Sequence, residues 1–257
     1  VSNFTVERLR QELDAFEPEV LGISVLTLNA PFGILAAKIA RQHDPGIMIV
    51  IGGVHATMLP EECLEDCDIV VRGEGEETFW EILQEHPLDS IDGISFKRNG
   101  HIVHNKDRAF ISNLDELPFP AHHLFEVEKY ECFPGWGIIG SRGCPYNCIF
   151  CSSPVMWKRR LRLRSPKSIV REIEYLHKRF GVSEIMLFDD TINITQKRAV
   201  DICDEIVSRR LHKSVSFACQ MRANAPLVSS DLFVKMKEAN FSRIEFGIES
   251  GSQRVLD

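Results

Sequence analysis

Near-continuous apolar runs recur along this chain, and amphipathic stretches separate them. Val20-Leu-Gly-Ile-Ser-Val-Leu26 and Ile47-Met-Ile-Val-Ile51 are the clearest, and Asp68-Ile-Val-Val71 is a shorter third. Runs of this kind fit strands buried on both faces of a parallel sheet, because a one-sided antiparallel strand would alternate apolar and polar. Between them, Val6 to Phe16 sets Leu9, Leu13 and Phe16 on one helical face, and Glu17-Pro18 closes that helix. Pro31 opens a second helix, with Ile34, Leu35 and Ile39 expected on its core face. Pro60 to Leu64 reads as a short helix and Glu76 to Leu83 as another. Strand and helix alternating at this pitch predict an α/β, doubly wound, Rossmann-like domain over residues 1–110.

A second series follows a joint. Asn99-Gly100 between two short β-like runs predicts a type I′ hairpin over Ile94 to His104. Residues 111–133, with Leu117-Pro-Phe-Pro-Ala121, read as a linker. His122-His123 is expected at the linker surface, with no Cys or carboxylate at ligand spacing beside it. Trp136-Gly-Ile-Ile-Gly140 then reads as a buried strand. Ser165-Pro166 gives an N-cap and first helical residue, Ile169, Val170, Ile173, Leu176 and Phe180 one helical face, and Gly181 a stop. Glu184 to Phe188 is a strand ending at Asp189-Asp190, and Thr195 opens a helix with Ala199, Ile202, Ile206 and Val207 inward. Val215 to Cys219 leads to Arg222, Ser230 to Ala239 is a helix, and Arg243 to Ile248 ends in Glu249-Ser250-Gly251. Each strand delivers polar residues at its carboxyl end, the layout of a (β/α) barrel's active face, here a partial barrel over 134–257. Read alone, Asp189 and Asp190 also suit a helix cap, and Arg222 a surface ion pair worth under ~1 kcal/mol.

Gly143-Cys144-Pro-Tyr-Asn-Cys148-Ile-Phe-Cys151 lies just past the first of these strands. Ligands gather on such carboxyl-end loops in parallel α/β folds. Grouped thiolates select zinc, copper(I) or iron–sulfur clusters. Structural zinc wants four protein ligands, and no fourth stands at suitable spacing, since Cys132 is 12 residues upstream of Cys144. An iron–sulfur cubane held by three cysteines leaves one iron open for chemistry. Three free thiols in a turn is the plainer alternative.

Composition narrows the class. A 257-residue chain with 44% hydrophobic and 26% charged residues is an ordinary globular protein, long enough for about one and a half to two domains. A net charge of −7 argues against a nucleic-acid partner. No apolar run approaches the roughly 18 residues of a membrane span, and the start shows no secretion signal. Its eight cysteines are therefore expected to be reduced and cytoplasmic. The basic run Lys158-Arg-Arg-Leu-Arg-Leu-Arg164 suits either an anionic ligand or a solvated strand facing the acidic excess.

Cys144-x3-Cys148-x2-Cys151, preceded by Ser-Arg-Gly and followed by Ser-Ser-Pro, resembles the radical S-adenosylmethionine (SAM) superfamily. Ser24-x-Leu26 and Gly52-Gly53 upstream resemble the nucleotide-tail pocket of its B12-binding branch. The resemblance implies a [4Fe–4S] cluster on Cys144, Cys148 and Cys151, with SAM on its open iron. It places Phe150, Asp189, Asp190, Arg222, Glu249 and Ser250 against SAM. It places Ser24, Leu26, Thr27, Gly52, Gly53, His55, Gly73, Glu74 and Gly75 around a cobalamin lying across the domain interface. The Asp-x-His-x-x-Gly cobalt motif of many cobalamin proteins is missing, and His55 is the nearest substitute. The family's expected first strand is also missing, and fewer barrel units are present than the family has. The expectation is a piece of a longer, oxygen-sensitive enzyme. The resemblance further implies a small-molecule substrate and a reductant such as flavodoxin or ferredoxin. Its activity would be methyl transfer through cobalamin, or else a radical cyclisation or rearrangement. A non-catalytic iron–sulfur sensor is the rival from another class.

Overall fold

The structure is a computed structural model that describes residues 5–223 and 227–256. It divides into two compact units, Val1–Ile111 and Ser112–Asp257.

In the first unit the elements run α1 (Val6–Phe16), β1 (Val20–Ser24), α2 (Ala30–His43), β2 (Met48–Gly52), α3 (Val54–Met58), α4 (Pro60–Cys63), β3 (Ile69–Val71), α5 (Glu76–Leu83), β4 (Ile94–Arg98) and β5 (His101–His104). One sheet holds all five strands in the order β1-β2-β3-β4-β5, the first three parallel and the last two antiparallel. Both sheet faces are covered, which explains the continuous apolar runs. Ile49, Ile51 and Val70 pack with α1, α2 and the α3–α4 segment, while Val50, Ile69 and Val71 pack with Ile82 of α5 and Ile94 and Phe96 of β4. The core face of α2 differs from expectation. Ile39 is buried as expected and Ile34 is partly buried, but Leu35 is exposed, and Ala30, Gly33, Ala37 and Ala40 take the buried face with Ile39. Small residues let the helix backbone settle close to β1, leaving no room for a leucine there. Asn99 and Gly100 both have positive φ, as a type I′ turn requires.

In the second unit come β6 (Gly135–Ile138), β7 (Ser141–Arg142), α6 (Ser153–Trp157), β8 (Arg162–Leu163), α7 (Pro166–Phe180), β9 (Glu184–Leu187), α8 (Gln196–Ser208), β10 (Ser216–Arg222), α9 (Ser230–Glu238), β11 (Phe241–Gly247) and α10 (Gln253–Leu256). Four strands form a parallel sheet in the order β11-β10-β9-β6, and β7 pairs with β8 in a small antiparallel ribbon. The chain thus adds each new strand beside the last, as a (β/α) barrel does. Ile185, Leu187, Phe217, Cys219 and Met221 face α7, α8 and α9, whose Ile169, Ile173, Leu176, Ile202, Ile206 and Leu232 complete the core. Ser165, Thr195 and Ser229 cap the three helices by accepting amide hydrogen bonds. Two expectations fail here. Val207 is exposed and Cys203 takes the inward place, one turn from Ile206. His122 is buried rather than at a surface, because its ring meets Glu172.

Candidate functional site

The cysteine loop begins where β6 ends. Gly140 is gripped from two sides: its carbonyl accepts from the Arg164 amide (2.9 Å) and from Nη2 of buried Arg198 (2.8 Å). Arg164 Nη1 also donates to the Ile139 carbonyl (3.0 Å) and to Glu172 Oε2 (2.5 Å). Glu172 is buried, and its Oε1 lies 3.1 Å from His122 Nε2. Gly143 then turns with φ +86°, and a Cβ there would sit 2.2 Å from the Arg160 carbonyl oxygen. Only glycine allows that turn.

Past it, Cys144 and Cys148 are half-buried and Cys151 is exposed. Among the described residues no three His, Cys, Asp or Glu side chains gather into a metal-binding group, so the thiols are not drawn together. The donor set nonetheless fits an iron–sulfur cluster. All three side chains are soft sulfur, on one loop, with hydrogen-bond donors aimed at two of them. The Ser153 amide donates to Cys151 Sγ (3.4 Å), and Arg222 Nη1 donates to Cys148 Sγ (3.9 Å). Arg222 also lies over the Tyr146 ring at 3.8 Å. Donors and a positive charge beside sulfur suit cysteines that ligate an iron–sulfur cluster. Burial pushes the Cys144 thiol up, as do the charges of Asp190 and Cys148, while the Tyr146 amide and Arg222 oppose the rise.

The expected SAM residues separate into two sets. Arg222, Asp190, Glu249, Ser250 and Phe150 lie at strand ends or on the loop. Asp190 accepts from the Ser153 hydroxyl (2.8 Å), which ties the end of β9 to the segment after Cys151. Glu249 has positive φ, and Phe150 is exposed. Ser250 accepts the Ser252 amide with its own hydroxyl (3.1 Å). Asp189 instead points inward. It is 1% exposed and accepts from the Ser141 hydroxyl (2.6 Å), and its Oδ2 has no hydrogen-bond partner. Burial raises its pKa against the pull of Ser141 and Arg198.

In the first unit the candidate loops are knitted at the carboxyl ends of β1, β2 and β3. The Val25 amide donates to the Gly52 carbonyl (2.9 Å) and the His55 amide to the Val25 carbonyl (3.2 Å). The Thr57 hydroxyl donates to the Gly53 carbonyl (2.8 Å) and accepts the Gly73 amide (2.9 Å). Gly53 has φ +96°, and a Cβ there would be 2.6 Å from the Val25 carbonyl oxygen. The rim offers Ser24, Leu26, Thr27 and Leu28, all exposed, beside partly open Gly52, Gly53, Gly73 and Gly75. Two candidates turn away. Glu74 is buried and accepts the Ile111 amide (2.9 Å). His55 is 4% exposed, with Nδ1 3.3 Å from the Thr27 hydroxyl and Nε2 3.6 Å from Glu62. Glycine backbone beside exposed leucines suits a large, partly apolar ligand such as a corrin.

Sequence reasoning missed Glu172 and Arg198, although a signal exists. Glu172 falls on the apolar face of α7 between Ile169 and Leu176, and Arg198 falls four residues before Ile202 on the core face of α8. A charge on a buried helix face needs partners, and so marks a network.

The Radical SAM superfamily model matches residues 138–257, and the B12 binding domain model matches residues 2–83. The chain belongs to the B12-binding radical SAM family. Membership brings the cofactors with it: a [4Fe–4S] cluster and SAM for the second domain, and cobalamin for the first. Among relatives of this B12-binding radical SAM protein is an uncharacterized methyltransferase of Pyrococcus horikoshii, 34% identical over 99% of this chain and 57% of the relative. The cytidylyl-2-hydroxyethylphosphonate methyltransferase of Streptomyces wedmorensis is 30% identical over 94% and 52%. The anaerobic magnesium-protoporphyrin IX monomethyl ester cyclase of Cereibacter sphaeroides is 27% identical over 98% and 43%. The chain thus spans about half the length of the curated relatives it matches. In fold it is similar to the cobalamin-dependent SAM radical enzyme OxsB (TM-score 0.75, 23% identity, 99% of this chain and 38% of OxsB). It is also similar to the radical SAM methyltransferase TsrM of Kitasatospora setae, solved with cobalamin and a [4Fe–4S] cluster bound (TM-score 0.74, 17% identity, 95% and 50%). Among the described residues no helix is long and apolar enough to cross a membrane.

Proposed function

We propose that this chain carries the cofactor-binding part of a cobalamin-dependent radical SAM methyltransferase acting on a small molecule. The observation that carries the reading is the cysteine loop with its donors: three thiols at C-x3-C-x2-C spacing, with Arg222 and the Ser153 amide directed at Cys148 and Cys151. When bound, the cluster would supply the electron that splits SAM into methionine and a 5′-deoxyadenosyl radical, and cobalamin would carry the methyl group.

Cys144, Cys148 and Cys151 hold the cluster. Arg222 and the Ser153 amide offset negative charge on the sulfurs, which favours the reduced cluster. Arg222 also offers a cation to a carboxylate, and Asp190 an anion to an ammonium, so the two strand ends suit the ends of an amino acid such as SAM's methionyl group. Glu249 and Ser250 present acceptors for hydroxyls beside them. Ser24, Leu26, Thr27, Gly52, Gly53, Gly73 and Gly75 form the rim for cobalamin. Glu74 and His55 support that rim from below, and His55 does not act as a cobalt ligand. A one-electron donor such as flavodoxin or ferredoxin and a cytoplasmic setting complete the proposal.

The test is anaerobic reconstitution of the full-length protein, reduction with SAM, and an assay for 5′-deoxyadenosine. Cys148→Ala is expected to lose the cluster chromophore and nearly all of the 5′-deoxyadenosine. A variant that kept both would end the assignment. Relatives named as cyclases favour a second reading, radical cyclisation without methyl transfer. Label from methyl-labelled SAM appearing in the product supports methyl transfer; its absence from a formed product supports the cyclase.

A further inference from the structure

Strand β10 outruns one of its neighbours. β9 pairs with it from Ser216 to Cys219, whereas β11 pairs with it as far as Arg222. β9 itself ends at Leu187, so past Cys219 that side of β10 has no strand beside it. The segment after β9 fills the place with one amide and one side chain. The Ile192 amide donates to the Gln220 carbonyl (3.2 Å). Two residues further along β10, the carboxamide of Asn193 stands in for a strand residue. Its Oδ1 accepts the Arg222 amide (3.0 Å), and its Nδ2 donates to the Arg222 carbonyl (3.0 Å). A carboxamide can do this because it carries a donor and an acceptor side by side, as a peptide group does.

The rest of the Asn193 side chain is occupied too. Nδ2 donates a second time, to the Leu227 carbonyl (3.2 Å), and Oδ1 accepts the Thr191 hydroxyl (2.9 Å). The pattern fixes which way round the amide lies, since a flipped one would set its NH₂ against the Arg222 amide and its oxygen against two carbonyls. Asn193 is 0% exposed and Thr191 is 3% exposed. A polar group buried so completely is costly unless it is hydrogen-bonded, and two of the four bonds here go to one residue. That residue is Arg222. Its Nη1 lies 3.9 Å from Cys148 Sγ, and its guanidinium carbon lies 3.8 Å from the centre of the Tyr146 ring. The side chain reaches both from the last residue of β10, so the place of its Cα decides whether it can.

We propose that Asn193 is the positioning residue of Arg222. It holds the backbone at the strand end so that the guanidinium meets the cysteine loop, and Thr191 locks the amide that does so. The proposal rests on the radical SAM reading for what Arg222 serves, namely the sulfur of Cys148 and the methionyl carboxylate of SAM. Asn193 acts through Arg222 alone. Aim matters at this range, because a misplacement of about 1 Å can cost on the order of a hundredfold.

The test is a double-mutant cycle on the full-length protein with its cluster reconstituted. Two quantities are read without turnover: SAM affinity by anaerobic calorimetric titration, and the cluster's midpoint potential by a redox titration followed by EPR. Arg222→Ala is expected to weaken SAM about tenfold or more and to lower the potential, because a cation and a donor beside sulfur favour the reduced cluster. Asn193→Ala is expected to weaken SAM about fivefold and to move the potential in the same direction. The double variant decides. It should match Arg222→Ala in potential and lie within about twofold of it in affinity, because the clamp has nothing left to aim. A role in stability alone predicts that the two affinity losses multiply, or that Asn193→Ala unfolds early with both readings native. Either result would overturn the proposal, as would an Arg222→Ala protein native in both readings. Thr191→Val covers the case in which Asn193→Ala does not fold. It should weaken SAM about threefold by itself and add nothing beside Arg222→Ala, and native readings for it would then overturn the proposal. Thr191→Ser, which keeps the hydroxyl, should return the native values. The two readings fail separately. A protein that bound the cluster and SAM but made no 5′-deoxyadenosine would end the functional reading and still complete the cycle. Multiplying losses in a protein that made 5′-deoxyadenosine would end this proposal alone.

Discussion

At the carboxyl edge of the first sheet, loops are tied by backbone amides, the Thr57 hydroxyl and the Glu74 carboxylate. At the carboxyl edge of the second they are anchored by buried ions. Thr57 bridges Gly53 and Gly73, and the Val25 backbone meets Gly52 and His55. Across the other sheet, buried Glu172 takes Arg164 and His122, and Arg198 and Arg164 both hold the Gly140 carbonyl. The difference follows from what each edge must do. A rim for a large, partly apolar ligand gains from exposed leucines and glycine backbone, which fit many shapes at small cost. A loop that presents three thiols has little regular backbone pairing of its own, so its root must be fixed from outside. Charged hydrogen bonds in a dry interior do that, but they make the region intolerant of a missing partner.

The largest effect expected from breaking this contrast is at Glu172. Glu172→Ala leaves the Arg164 guanidinium without its buried carboxylate, and removing one member of a buried pair typically costs about 3–5 kcal/mol. Urea unfolding of the second unit should report that loss. Surface pairs such as Arg8–Glu12 in the first unit are exposed and should change stability by under ~1 kcal/mol when cut. Equal losses at the two pairs would end the claim that Glu172 is a buried anchor rather than a surface charge.

The contrast also marks what the sequence made legible. Strand runs, helix caps and the cysteine loop could be read because each is a local pattern: an apolar run, a Ser or Thr before a helix, a fixed cysteine spacing. The Asn99-Gly100 turn was legible for the same reason. Legibility stopped where side-chain direction depends on distant partners. Asp189 and Asp190 are adjacent at one strand end, yet strand alternation sends the first inward and the second outward. His122 reads as linker until Glu172, 50 residues later, is seen to face it. His55 and Glu74 sit in ligand-edge loops but are buried, His55 beneath the Thr27 hydroxyl and Glu74 on the Ile111 amide. The core face of α2 was misjudged because close packing chose its alanines and Gly33 over its larger Leu35.

A smaller effect sharpens the comparison through pH. The Asp189 carboxyl has its pKa raised in the fold, chiefly by burial. Its folded form binds the proton more tightly than the unfolded chain does. Its stabilising contribution is therefore complete below the ordinary carboxylate value of about 3.9 and is lost as pH rises through the raised value. Asp189→Asn keeps an acceptor for Ser141 and cannot titrate. The stability difference between the native protein and this variant should thus shift against the native protein as pH climbs above about 4. A difference independent of pH would show that Asp189 does not titrate with folding.

The smallest effect on stability, and the most selective, belongs to the apolar rim. Leu28 is 92% exposed and Leu26 is 56% exposed, so Leu28→Ser removes little buried surface and should alter unfolding by no more than about 0.5 kcal/mol. If the rim receives cobalamin, those same side chains are covered in the complex. At about 25 cal/mol per Å² of apolar area, covering one leucine contributes on the order of 1.5–3 kcal/mol to binding, or roughly tenfold to over a hundredfold in affinity. The variant should therefore melt with the native protein and bind cobalamin at least tenfold more weakly, as read by the corrin's visible absorbance in a titration. A variant that unfolds early would mean that the leucines are part of the fold. One that binds cobalamin normally would mean that the glycine backbone of Gly52, Gly53, Gly73 and Gly75 carries the ligand by itself. The same substitution should leave the cluster chromophore of the second unit untouched, since the root of its loop is fixed by Arg164, Glu172 and Arg198.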